Sequence, residues 1–254
     1  MAARGPSGPP VVRASRQRLP LAVQQTDPVT DPSRIVRAVA AALVVGLGLG
    51  FLTQYLQGEL PGNWNTLANS GVVWVLVAFM VTAAWRLSTG WSALLGFITL
   101  FGALTGYYVS ARFIEGATST VSTMAVWVLA ALVGGPVFGV AGSWWSEDGA
   151  VRSTGSWLST DGESDRAEAR LWHFSRSVVA VALVSAVLLA EGIHFLWQVE
   201  NKHASGWLEL IAAILAPLSL AHSSRDRVTG FLLLIPLGLL GVAAYGLLDM
   251  LLAG

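Results

Sequence analysis

Long apolar runs alternate with short polar segments along the chain from residue 35 onward. Seven of these runs are about 20 residues long, which at 1.5 Å per residue is the length of helix that crosses the hydrocarbon core of a bilayer. The predicted spans are residues 35–56, 67–85, 91–109, 121–142, 178–197, 207–221 and 230–252. The pattern therefore predicts an all-α, polytopic integral membrane protein with about seven transmembrane helices.

The polar segments indicate the domain organisation. Residues 1–33 contain Pro, Arg and Ser without an apolar run or a periodicity that would bury a core, so we expect a disordered cytoplasmic tail. Residues 34–254 form the predicted helical membrane domain, which carries one long cytoplasmic loop at 143–175. Within that loop Thr160 and Glu163 have capping-box spacing, which predicts a short surface helix over 163–174.

Residues 60–74, with the sequence LPGNWNTLANSGVVW, form the most distinctive segment of the chain. This polar segment lies between two apolar runs, and Trp64 and Trp74 mark its two ends. We expect a hairpin there that roofs the outer side of the bundle. Asn65, Asn69 and Ser70 have side chains suited to capping the helix that follows.

The composition agrees with a membrane location and excludes several kinds of catalytic and metal-binding chemistry. Charged residues make up 12% of the chain, hydrophobic residues make up 54%, and the mean hydropathy is +0.62, whereas a soluble domain has about 25% charged residues. The chain has no Cys, so disulfides, thiolate chemistry and Cys-ligated metals are excluded. A P-loop, a zincin motif and a serine nucleophile elbow were sought and are absent from the sequence.

The distribution of Lys and Arg predicts the orientation, because cytoplasmic loops are enriched in these residues. An N-terminus in the cytoplasm places 13 of the 15 cationic residues inside and leaves Arg112 and Lys202 outside. We therefore expect the plasma membrane of a bacterium, with a cytoplasmic N-terminus and an extracytoplasmic C-terminus. Trp residues cluster near predicted helix ends, as an aromatic belt requires, whereas Trp127 is mid-helix and is expected to face protein.

A weak internal similarity suggests a repeat. Shifting the chain by 140 residues lays the third span on the seventh, with Gly90 on Gly230 and Gly106 on Gly246. Two three-helix units with one helix between them would form a parallel 3+1+3 repeat. The alternative is chance similarity, because apolar helices match one another easily.

Small residues predict where helix backbones approach closely. Paired glycines with GxxxG or similar spacing occur at Gly46/Gly50, Gly102/Gly106, Gly135/Gly139 and Gly238/Gly241. In membranes such spacing is typical of helix packing rather than of chemistry. Pro136, Pro217 and Pro236 lie inside spans and are expected to kink them.

Ionisable groups inside a span are expensive and mark candidate functional sites. Glu191 is the deepest, about 9 Å below the outer end of its helix, and His194 follows one turn above it on the same face. Several other polar groups should lie near the same outer end and could line one vestibule. The predicted ligand-binding residues are Glu191, His194, Gln54, Tyr55, Asn69 and Arg112.

Each of these residues also has a structural interpretation. Glu191 and His194 have the Glu-x-x-His spacing of bundle metal sites, but such sites need two of these motifs and further carboxylates. A buried hydrogen-bonded pair, or an ion pair between Glu191 and Arg112, fits the sequence better. Glu209 and Asp249 can lie at headgroup level. The sequence therefore predicts no metal, no cofactor and no catalytic residue.

Several motifs together resemble an uncharacterised actinobacterial family of multi-pass membrane proteins, known as domain of unknown function 6518. The resemblance covers residues 35–252 and is most specific in the segment from Leu60 to Trp74. Glycine-rich motifs support it at residues 106–108, 134–139 and 191–192. It implies a fold and a membrane location, and it transfers no catalytic residue.

Three functions are consistent with these observations. The first is binding or transport of a small solute through an outward-facing polar site. The second is a scaffold that docks protein partners through the loop at 143–175, and the third is an intramembrane metal-dependent enzyme, which the residues favour least. The lipid bilayer is the expected surrounding of the chain. Nothing in the sequence supports nucleic-acid binding, and the oligomeric state cannot be read from it.

Overall fold

A computed structural model of the chain describes residues 31–153, 175–199, 202–221 and 223–253. These residues form helices joined by short connections. The helices are α1 (Pro32–Glu59), α2 (Asn63–Ala68), α3 (Gly71–Trp85), α4 (Thr89–Ile114), α5 (Val121–Ser153), α6 (Arg176–Trp197), α7 (His203–Leu220) and α8 (Ser224–Ala253).

Among the described residues, seven helical segments are long and apolar enough to cross a membrane. The prediction of an all-α protein with seven spans is therefore confirmed. One of these segments, Trp64–Trp85, contains both α2 and α3. The predicted second span at 67–85 is wrong at its start, because the helix is interrupted at Asn69 and Ser70 and resumes at Gly71.

The predicted hairpin at residues 60–74 is instead the short helix α2 followed by a turn. Gly62 enters α2 with a φ of 58°, a conformation that favours glycine. The Asn65 amide donates to the carbonyl of Gln57 and ties α2 back to the end of α1. Helix α2 packs against α1 and against α7.

The boundaries of the long polar segments also differ from the sequence-based ones. Residues 143–153 continue α5, so the loop predicted at 143–175 begins too early. The rest of that loop, with its predicted helix at 163–174, lies outside the described residues. The predicted tail at 1–33 falls mostly outside them as well, and α1 begins at Pro32 with the Asp31 side chain accepting from the Ser33 amide.

Helices α1, α4 and α5 pack through glycines. A Cβ atom added at Gly46 or Gly50 would collide with the α4 backbone at Thr99 or Ala103. On α4, Gly106 faces the backbone of Leu47 and Gly96 faces the backbone of α5. We call this contact region of α1, α4 and α5 the glycine seam. The predicted packing role of these glycines is confirmed, since the helices could not approach so closely with larger residues.

Helix α6 lies in the interior of the other half of the bundle. It is the most buried of the spans, and it packs against α7 and α8. Gly192 and Gly206 face each other between α6 and α7, and Gly241 of α8 lies against Ala190 of α6. Because α6 is central, its polar residues, including Glu191, lie in the protein interior.

The connection after α1 and the connection before α7 lie at the same end of the bundle. The Lys202 ammonium donates to the Gly62 carbonyl at 3.4 Å, and Glu115, which follows α4, lies near Gly58 of α1. We call this the outer end, because the Lys and Arg distribution predicts that it is extracytoplasmic. That orientation, the 3+1+3 repeat and the kinks at the helical prolines stay predictions.

Candidate functional site

The break between α2 and α3 places a helix N-terminus inside the bundle. Helix α3 has 15 residues and so is about 22 Å long, which is less than the thickness of the hydrocarbon core. Its first amides therefore lie at membrane depth, where no water satisfies them. Ser70 caps the helix, and its hydroxyl accepts from the Val73 amide at 3.4 Å.

Glu191 of α6 satisfies the remaining donors of this N-terminus. One of its carboxyl oxygens accepts from the Gly71 amide at 2.8 Å. The other accepts from the Val72 amide and from the Ser70 hydroxyl, both at 2.8 Å. The side chain is only 3% exposed. Glu191 therefore acts as a cap supplied by a different helix, and its carboxyl group lies at the positive end of the α3 dipole.

Tyr245 of α8 completes the surroundings of this carboxyl group. Its hydroxyl lies near the Glu191 carboxyl group and interacts with it electrostatically. A Cβ atom added at Gly71 would lie 3.1 Å from the Tyr245 oxygen and 3.7 Å from Glu191, so a glycine here lets both groups approach the helix. Five elements meet at this point: the turn before α3, α3 itself, α6, α7 and α8. We call Ser70, Gly71, Glu191, Glu209 and Tyr245 the polar junction.

Glu209 of α7 is the second carboxyl group of the polar junction, and it is only 4% exposed. Its carboxyl group lies close enough to Glu191 and Tyr245 to interact electrostatically with both. Neither of its oxygens accepts a hydrogen bond from any described residue. The expectation that Glu209 lies at headgroup level is wrong, because the packing of α7 on α6 turns it inward.

His194 lies above the polar junction but does not join Glu191. Its Nδ1 atom is 2.6 Å from Gln198 Oε1 and 3.4 Å from an oxygen of Asp249. The imidazole ring lies over the Tyr245 ring, with 5.2 Å between the centroids. The Glu-x-x-His spacing therefore serves two different sets of contacts. Within the described part of the chain, no three His, Asp or Glu side chains are grouped as ligands for one metal ion.

The other predicted site residues are dispersed. Gln54 is buried on α1, and its Oε1 atom has no partner among the described residues. Tyr55 is 54% exposed on the outside of α1, and Arg112 is exposed at the end of α4. The predicted ion pair between Glu191 and Arg112 is not formed, since the Ser70 hydroxyl and the α3 amides occupy the carboxylate. The structure thus does not gather all six predicted residues at one point.

A cavity of about 420 Å³ adjoins the polar junction, in the size range of small-molecule sites. Gly71, Ala190 and Tyr245 form the wall that it shares with the polar junction, and Asn69 lies at its edge. Aromatic side chains from α3, α4, α5 and α8 form much of the remaining wall: Trp74, Tyr107, Tyr108, Trp127 and Tyr245. Trp127 therefore faces protein, as its mid-helix position predicted.

One buried hydrogen-bond donor next to the cavity has no acceptor. The indole Nε1 atom of Trp74 is buried and makes no hydrogen bond to any described residue. The Trp74 ring packs edge-on against Tyr107, with 6.1 Å between centroids, and this contact fixes its direction. An indole N–H can only donate, so the group that would satisfy it is an acceptor.

Exposed lining residues lie on two sides of the cavity. Ala130 of α5 and Ala244 of α8 are exposed between helices that contact each other little, whereas Asn69 and Ser119 are exposed toward the outer end. The helix surface next to Ala130 and Ala244 is apolar, with Leu129, Val133 and Leu247 more than half exposed. In a bilayer this side of the cavity would face acyl chains.

Sequence reasoning missed most residues of this cavity. Aromatic residues in a span are ordinary packing groups, and of the six predicted site residues only Asn69 lines the cavity. The docking role proposed for the loop at 143–175 stays a prediction, because residues 154–174 lie outside the described residues.

Comparison with known proteins gives one match. No curated protein and no solved structure matches the chain. The model of a family of unknown function, DUF6518, matches residues 29–157 and 167–251. These ranges cover most of the chain and include the polar junction and the cavity; the actinobacterial source implied by the resemblance stays a prediction. The chain belongs to this family, and the seven apolar helices among its described residues make it a membrane protein.

Proposed function

We propose that the protein binds a small amphiphilic molecule in the cavity between α5 and α8, taking it from the surrounding leaflet. The observation that carries this proposal is the aromatic cavity of about 420 Å³ together with Trp74, a lining residue whose buried indole N–H is unpaired among the described residues. The sequence predicted a small solute in an outward-facing polar site centred on Glu191 and His194. The contacts of those two residues favour a structural role for them and leave the cavity as the better binding site.

The chemistry of the wall indicates the class of ligand. Aromatic and aliphatic side chains favour an apolar body, and the ring faces can stack on a flat or unsaturated one. The Trp74 indole N–H calls for a hydrogen-bond acceptor such as an ester, ether or hydroxyl oxygen. No cationic side chain lines the cavity, so nothing there would compensate a buried acid group. An uncharged amphiphile with one acceptor group fits best.

Thermal unfolding of the detergent-purified chain tests this proposal. Monoacylglycerols, long-chain alcohols and phenyl-substituted alcohols would be added at the same mole fraction in the micelle. A ligand that binds only the folded state stabilises it by about 2.7 kcal/mol at a hundredfold excess over its Kd. We expect at least one of these classes to raise the midpoint.

Two neighbouring alanines give the matched variants. Ala244 lines the cavity, whereas Ala243 is exposed on the same helix and does not line it. Ala244→Trp should fill the opening and abolish the shift, and Ala243→Trp should keep it. Equal shifts in the two variants would indicate partition onto the lipid-facing surface and would contradict the proposal, as would no shift with any compound.

A further inference from the structure

The two buried carboxyl groups of the polar junction have opposite surroundings. The carboxyl group of Glu191 accepts from the Gly71 and Val72 amides and from the Ser70 hydroxyl, and the Tyr245 hydroxyl lies near it. An ionised carboxylate only accepts, at about four lone-pair positions, whereas a protonated one must also donate. Each oxygen of Glu191 accepts from a backbone amide, which can only donate, so these surroundings fit the anion.

Glu209 has none of these donors. Both of its oxygens are buried without a hydrogen-bond partner among the described residues. The Ser70 hydroxyl, which lies near it, donates to Glu191 instead. An ionised Glu209 would thus be a buried charge with no compensation beside a second negative charge, and both effects disfavour it strongly.

The helices packed around Glu209 supply no counter-charge to it. From α6, the titratable groups on its side are Glu191 and His194, and His194 is engaged with Gln198 and Asp249. From α8, they are Tyr245 and Asp249. Helix α2 contains no titratable residue. The lysine nearest to Glu209 along the sequence is Lys202. Its ammonium group donates to the Gly62 carbonyl at the outer end.

We propose that the Glu191–Glu209 pair is a proton-binding site inside the membrane, with Glu191 ionised and Glu209 carrying the proton at neutral pH. The pair then holds a single negative charge, which the α3 N-terminus and the two hydroxyls stabilise. Tyr245 lies beside Glu191 and also lines the cavity, so the proton site and the cavity share one side chain. The inference goes beyond ligand binding, and its test uses no ligand.

Infrared spectroscopy of the full chain in nanodiscs measures the proton directly. At pH 7 the wild type should show the carbonyl stretch of one protonated, buried carboxyl group, which shifts on exchange into deuterium oxide. Glu209→Gln should lack this band, and Asp249→Asn, which changes a partly exposed acid nearby, should keep it. A wild type without the band, or a Glu209→Gln variant that keeps it, would overturn the proposal.

A comparison with sodium tests whether the site binds a proton or another monovalent cation. The spectra would be recorded at pH 7 in choline chloride and in sodium chloride. The proton site predicts the same band in both salts. A band that is present in choline and lost in sodium would show that the site exchanges its proton for sodium, and this would overturn the proton as its resident ligand.

Unfolding in SDS gives a second and independent measurement. A carboxyl group that is protonated in the folded state and ionised in the unfolded state releases one proton on unfolding above pH 5. The unfolding equilibrium constant of the wild type should therefore rise about tenfold per pH unit relative to Glu209→Gln between pH 5 and 7. Parallel pH profiles for the two proteins would contradict the assignment. Because Gln is neutral and has nearly the same shape, the variant should fold.

Discussion

The glycine seam and the polar junction both bring helices together inside a bilayer, but through different groups. In the seam, α1, α4 and α5 touch backbone to backbone, and their buried hydroxyls bond carbonyls of their own helices. In the polar junction, a broken helix is completed by side chains from α6 and α8 that are far away in the sequence. Lipid provides no hydrophobic force between helices. Close backbone contact therefore stabilises helix packing in the glycine seam, and hydrogen bonding stabilises it in the polar junction.

This difference explains where the cavity lies. Glycine-to-backbone contact leaves no space between helices, so the seam can only be a rigid wall. The polar junction holds α3 and α6 together at one point, and beside it α5 and α8 contact each other little. The seam therefore supports the fold, and the candidate chemistry lies at the junction. The effects of substitutions on stability should therefore differ between the two regions, both in their physical cause and in their size.

Removal of the central acceptor should have the largest effect. Glu191→Ala leaves the Gly71 and Val72 amides buried without a partner, at about 1–3 kcal/mol for each orphaned group, so we expect a loss of about 2–6 kcal/mol. Asp249→Ala, which changes a partly exposed acid on α8, should lose less than about 1 kcal/mol. SDS unfolding at constant pH measures both. Similar losses would mean that the α3 amides do not depend on Glu191.

The glycine seam predicts the next largest effect and offers a matched control on one helix. Gly50→Ala places a methyl group against the α4 backbone at Ala103 and should cost about 1–3 kcal/mol through overpacking. Gly48→Ala adds the same methyl group where no atom lies within 4 Å, so it should change stability by less than about 0.5 kcal/mol. If both variants unfold alike, α1 and α4 are not in backbone contact.

A pair of buried serines compares the two regions directly. Ser70→Ala removes a helix cap and a donor to Glu191, which should cost about 0.5–2 kcal/mol. Ser110 lies in α4, and its hydroxyl donates to carbonyls of its own helix. Ser110→Ala should cost less than about 0.5 kcal/mol, because those carbonyls keep their helical partners. The SDS midpoint should fall further for Ser70→Ala than for Ser110→Ala. The reverse order would mean that the seam depends more on its hydroxyl than the polar junction does.

The smallest expected effect is at the exposed start of α1. The Ser33 hydroxyl and amide donate to Asp31 and lower the pKa of its carboxyl group. A lowered folded-state pKa means that the cap stabilises the first turn above the unfolded pKa, about 3.9, and that this contribution is lost as the pH falls through the folded value. Hydrogen exchange of the Arg34 and Ile35 amides between pH 5 and 3 should show faster opening at low pH than in Asp31→Asn. Identical profiles would mean that the Asp31 cap does not control this turn.

Much of the fold could be predicted from the sequence, because a bilayer allows few alternatives. A run of about 20 apolar residues can satisfy its backbone only as a helix, so the seven spans followed from the hydropathy pattern. Paired glycines indicated the helix faces that touch, because no other residue allows backbones to approach so closely. The candidate site was predicted only in part. Glu191 was correctly identified as deep and polar, but its predicted partners, His194 and Arg112, were wrong.

The sequence by itself therefore determined the class of protein, the number of spans and the depth of Glu191. Only the tertiary structure decided the break before Gly71, the inward turn of Glu209 and the cavity between α5 and α8. The reason is rotational: a span can turn about its axis at little cost to its own hydrogen bonds, so its partners depend on packing against other helices. Glu191 meets the α3 amides across about 120 residues of sequence, and no local pattern could have encoded that contact.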